Sequence, residues 1–149
     1  AVNKYIYSIV RGCHIFMSIG QKIKSFFSTQ TETRENHINE QLKSRYYKTT
    51  TKKAIEAIKT IIHQEDGLTV KSVSEEHGEI AVEVRKGKKA FMIITVISVR
   101  PFETAVDFSV TTETVLPSDF GYSRKLIFKM YEKLNKQLTY VGSGLNAEK

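Results

Sequence analysis

Side chains that could do chemistry are few in this sequence, and their spacing keeps them apart. The histidines are His14, His37, His63 and His77, and no two share a metal-ligand spacing on a helix or strand. Cys13 precedes His14, but sequence neighbours on a helix point in different directions, so a nucleophile–base dyad is not expected there. Cys13 reads instead as a small buried hydrophobe. Glu83 and Asp107 fall on alternating strand patterns, each on the less apolar side, where acids are ordinarily solvated. Asp66 is explained by a turn and Asp119 by a helix start. Gly142-Ser143-Gly144 follows a helix instead of opening one, so it does not cradle a phosphate. With no zinc, P-loop or calcium pattern, the expectation is a non-catalytic protein without a catalytic residue, metal or cofactor.

The basic residues carry more information. Lys86-Gly87-Lys88-Lys89 forms a cationic hairpin tip, and Lys125, Lys129, Lys133 and Lys136 recur at helical spacing. Lys86, Lys88, Lys125, Lys129, Lys133 and Lys136 are therefore candidate anion contacts, with surface solubility as the plainer role. Phe91, Phe102 and Phe108 have no basic alternation around them, so a single-stranded nucleic-acid platform lacks its motif.

These residues must be positioned by a chain of 149 residues, one domain's length and enough to bury a core. Hydrophobic residues are 40% and charged residues 26%, the balance of a globular protein. A single cysteine excludes an intrachain disulfide and fits a reducing compartment. The net charge of +7 suits an anionic partner. Its distribution is uneven: residues 1–50 hold eight Lys and Arg against three Glu, a surplus of five, leaving two for residues 51–149. Glu32 is the first acid in the chain.

Residues 2–27 show a helical stripe of Val2, Ile6, Ile9, Cys13, Phe16, Ile23 and Phe27, broken around Gly20. Lys4, Arg11, Lys22 and Lys24 interrupt the apolar residues, so no run reaches the length of a spanning helix. The plainest reading is a helix packed on the body or on a twin copy; the next is an interfacial membrane helix. A mitochondrial-type targeting peptide shares the composition, whereas Arg11 within Val10-Arg11-Gly12-Cys13 argues against a lipoprotein signal. Thr29 with Glu32 suggests a capping box, and residues 31–46 a marginal helix or linker.

The body reads as helix, four strands, helix. Residues 51–64 place Ala54, Ile55, Ile58, Ile61 and Ile62 on one face. Strands follow over residues 68–74, 79–85, 91–99 and 104–115, joined by connections short enough only for antiparallel neighbours. Residues 91–99 are apolar on both parities, which predicts cover on both faces or a place at the centre of the sheet. Leu126, Ile127, Met130, Tyr131, Leu134 and Leu138 form the face of a last helix, followed by a frayed tail.

The predicted fold is α+β: a four-stranded antiparallel meander flanked by helices (α-ββββ-α), with one or two further N-terminal helices. Residues 1–50 form the basic amphipathic segment, 51–141 the body and 142–149 a flexible tail. The expected function is an interaction module, cytoplasmic or peripheral to a membrane. Its N-terminal helix mediates self-association, or docking to a protein partner or an anionic membrane surface. The interaction residues are Arg11, Lys22 and Lys24 for charge, with Ile6, Ile9, Phe16, Ile23, Phe26 and Phe27 for the apolar face. Nucleic-acid binding through the lysine row is the alternative, and a small-ligand or enzymatic α+β domain the third reading.

Overall fold

Residues 28–47 are rich in threonine and tyrosine, types that fit a pleated surface better than a helix. In the computed structural model, which describes residues 28–34, 39–113 and 119–143, the described part of this stretch is largely extended. Ser28–Glu32 is strand β1, Glu40–Leu42 a single 3-10 turn, and Arg45–Tyr47 strand β2. The expected helix over residues 31–46 does not form. Nor does the Thr29–Glu32 capping box, since both residues lie in β1. Pairing decides this: β1 and β2 both run antiparallel to one long strand, which supplies a ladder that a marginal helix lacks. The stripe over residues 2–27 lies outside the described residues.

The chain then follows the expected order: α1 (Thr51–Gln64), β3 (Leu68–Ser74), β4 (Glu79–Val84), β5 (Ala90–Arg100), β6 (Glu103–Glu113) and α2 (Tyr122–Gln137). A further strand, β7 (Tyr140–Ser143), replaces the start of the predicted tail. The sheet is therefore not a four-stranded meander but seven strands among the described residues. Its order is β3-β4-β5-β6-β2-β7, with β1 also on β6. All named pairings are antiparallel.

Local chemistry explains the boundaries. The Thr50 hydroxyl accepts from the Lys53 N–H at 3.3 Å and caps α1. Gly78 turns β3 into β4 with φ +64°, and a Cβ there would sit 2.1 Å from the Val96 carbonyl oxygen. The Gly78 carbonyl in turn accepts the Val96 N–H at 2.7 Å. Only glycine meets both demands.

The core lies between one sheet face and the two helices. Ile55, Ile58 and Ile62 of α1 and Ile127, Met130 and Leu134 of α2 are buried with Met92, Ile94, Val96 and Phe108. The other face is treated differently. There Ala81, Ile93 and Ala105 are buried but stand outside the helix-packed cluster. Further along β5, Ile97 and Val99 are 45% and 43% exposed. The double-sided apolar pattern of β5 is real, yet both described helices pack on the same side of it.

Candidate functional site

The candidate anion contacts are held by the β4–β5 hairpin and α2. Gly87 adopts φ +82° at the hairpin tip, and the Tyr122 ring lies against it. The Tyr122 hydroxyl donates to the Lys86 carbonyl at 2.5 Å, pinning the tip to the start of α2. That start is built by Asp119. Its carboxylate accepts the backbone N–H groups of Gly121 at 2.9 Å and Ser123 at 3.0 Å, and also the Ser123 hydroxyl. Burial pushes the Asp119 carboxyl up, but these bonds and the nearby Lys88 outweigh it and hold it below its ordinary range.

Lys88 donates to the Asp119 carbonyl at 3.1 Å, and its ammonium sits 5.1 Å from the centre of the Phe120 ring. Lys86 lies 3.4 Å from Asp66. Lys129 and Lys133 both reach Glu65, the residue that ends α1. Hydrogen bonds from these two ammonium groups hold the Glu65 carboxyl below its ordinary range. Lys125 and Lys136 make no ion pair among the described residues. They stand eleven residues apart on α2, about 16 Å along the axis. The structure thus brings Lys86 and Lys88 to the α2 start, ties Lys129 and Lys133 to α1, and leaves the six lysines short of a single patch.

The acids considered for catalysis do not converge. Glu83 is bound by Lys71 at 2.6 Å and Arg85 at 3.0 Å, and those bonds draw its carboxyl down to about 2. Asp107 accepts the hydroxyls of Thr33 at 2.7 Å and Ser44 at 2.6 Å, joining the broken edge where β1 gives way to β2. His77 lies in the β3–β4 turn, near Glu79. Burial holds the Glu79 carboxyl above its ordinary range, with His77 opposing. Among the described residues no three His, Cys, Asp or Glu are grouped to hold a metal ion. An open cleft of about 510 Å³ is lined entirely by residues 62–70, one continuous connection, so it gathers no groups from separate elements.

One constellation escaped the sequence reading. The Arg45 guanidinium lies 4.4 Å from the Tyr131 ring centre, 5.7 Å from that of Tyr140 and 5.8 Å from that of Phe128. With its amide oxygen toward Arg45 (3.0 Å) and its nitrogen toward the Tyr47 hydroxyl (2.8 Å), Asn135 satisfies both. The Tyr131 hydroxyl donates to the Val106 carbonyl at 2.9 Å. Burial pushes the hydroxyls of Tyr47 and Tyr131 well above the usual tyrosine range. This knot fastens β2 and β7 to α2. Its members lie far apart in sequence, and periodicity carries no trace of it.

The expected interaction residues Ile6, Ile9, Arg11, Phe16, Lys22, Ile23, Lys24, Phe26 and Phe27 lie outside the described residues. Among the described residues no helix is long and apolar enough to cross a membrane. No family model and no curated protein matches the chain. Among solved structures, TTHA0849 from Thermus thermophilus is a distant likeness, with a TM-score of 0.36 and 15% identity over 73% of this chain and 92% of that one.

Proposed function

We propose that this protein is an interaction module that docks on anionic membrane surfaces through the cationic amphipathic segment ahead of β1. The observation that carries the reading is where uncompensated charge sits. Residues 1–27 contain Lys4, Arg11, Lys22 and Lys24 and no acid. In the folded body, by contrast, several cations are matched locally: Lys129 and Lys133 on Glu65, Lys71 and Arg85 on Glu83, Lys86 on Asp66. The same compensation weakens the nucleic-acid alternative, because a lysine already held by a carboxylate has less to gain from a phosphate. A basic segment near an acidic bilayer gains about 1 kcal/mol per Lys or Arg, and its apolar residues add burial at the interface. Self-association through the same stripe is the competing use of the segment.

Co-sedimentation with phosphatidylserine-containing vesicles tests this. The double variant Lys22→Glu/Lys24→Glu reverses the sign of two charges and is expected to lose most of its vesicle association at physiological salt. Equal association of variant and native chain would defeat the proposal.

A further inference from the structure

We propose that the folded body carries a second contact with an anionic membrane surface: the tip of the β5–β6 hairpin, led by Phe102, with Lys48, Lys52 and Lys53 beside it. This deepens the reading just given and rests on it, but every residue it uses lies in the described body.

The apolar part is built at a cost to the fold. Arg100 and Glu103 pair across the hairpin, so Pro101 and Phe102 form a two-residue turn. Proline presets the first position of such a turn, and the second, with positive φ, suits glycine. Phe102 stands there with φ +59°. Its ring is nevertheless 71% exposed, so burial does not offset the strained backbone. Val99 and Pro101 beside it are exposed as well. A bilayer interface gains from taking up such an aromatic tip.

The cationic part adjoins the tip through β2. Tyr47 pairs with Thr104, and the Thr104 hydroxyl donates to the Thr49 carbonyl at 2.8 Å. That contact sets Lys48 and the first turn of α1, with Lys52 and Lys53, next to the hairpin tip. All three lysines are exposed and make no ion pair among the described residues. Unlike Lys71 and Lys129, they hold no carboxylate that a lipid phosphate would have to displace. Glu103 is the acid on the hairpin, while Glu75 and Glu76 stand in the β3–β4 turn, on the far side of β5 from β2.

The basic segment joins the body elsewhere. Ser28 pairs with Glu113 at the opposite end of β6, about 33 Å along the strand from Glu103. Two contacts so far apart orient the body on the bilayer and reinforce each other as linked sites.

The chain has no tryptophan, so Phe102→Trp adds a single fluorophore to the full chain. The control is Phe120→Trp, beside Lys88 at the other end of the sheet. Both are measured on phosphatidylserine vesicles with brominated acyl chains, relative to the same vesicles without bromine. The Phe102→Trp chain is expected to shift its emission to the blue and lose most of its intensity, and the Phe120→Trp chain to change little. Lys52→Glu/Lys53→Glu should weaken vesicle binding at least about tenfold. Glutamate suits the first turn of a helix, so this variant keeps α1 and the melting transition.

Vesicle binding with neither fluorophore quenched, or with both quenched alike, overturns the inference and leaves docking by residues 1–27 standing. So does unchanged binding of the Lys52→Glu/Lys53→Glu chain. Quenching at Phe102→Trp that persists when Lys22→Glu/Lys24→Glu is added would keep this contact and defeat the first. No binding by the native chain defeats both.

Discussion

Asp119 shows how one short side chain sets an element. Its carboxylate takes two backbone N–H groups and a hydroxyl at the start of α2, where the N-cap position itself is Gly121 with φ +77° and no side chain to offer. Replacing it, Asp119→Ala, is expected to cost about 1 kcal/mol at neutral pH, read from urea midpoints. The sign of the pH dependence follows from the depressed carboxyl. Its contribution is present above the unfolded value of about 3.9 and is lost as pH falls through the lower folded value. The gap between native and variant midpoints should therefore close below about pH 4. A gap that persisted in acid would mean the carboxylate's charge is not what caps the helix. The sequence places Asp119 at a helix start but points to Ser118 or Ser123 as the cap, whereas Asp119 accepts the N–H groups there and Ser123 is one of its partners. The role of Glu65 is not legible, because its partners Lys129 and Lys133 lie more than sixty residues away, and no local pattern links them.

At the scale of elements, legibility follows the strength of local periodicity. The helix α1 and the strands β4 to β6 carry clear patterns, β3 has a weak one and is placed by the turns on either side of it, and both helices and the antiparallel run of β3 to β6 emerge as expected. The strands β1, β2 and β7 are three to five residues long. β1 and β2 are strands because the long edge of β6 opposite β5 offers a ladder, and β7 because β2 then offers the next one, tertiary facts no short window contains. The same dependence makes the turns vulnerable. Gly78→Ala places a methyl group against the Val96 carbonyl at a backbone angle alanine resists, and is expected to destabilise by about 2–3 kcal/mol. Thermal melting measures this, and an unchanged transition would show that the β3–β4 turn can shift at little cost.

For the whole molecule, charge is uneven along the chain: residues 1–27 hold four Lys and Arg and no acid, while in the body Glu65 and Glu83 are each held by two cations. The body covers one sheet face with two helices and leaves Ile97 and Val99 at the surface of the other. The proposed membrane-docking role rests on the uncompensated charge of residues 1–27. The most direct measurement is binding of the native full chain to vesicles of increasing phosphatidylserine content at fixed salt. Membrane docking predicts no binding to neutral vesicles, a steep rise as acidic lipid is added, and reversal by salt, because charge delivers the segment to the surface. Equal binding to neutral and acidic vesicles, or none to acidic vesicles at low salt, would contradict it.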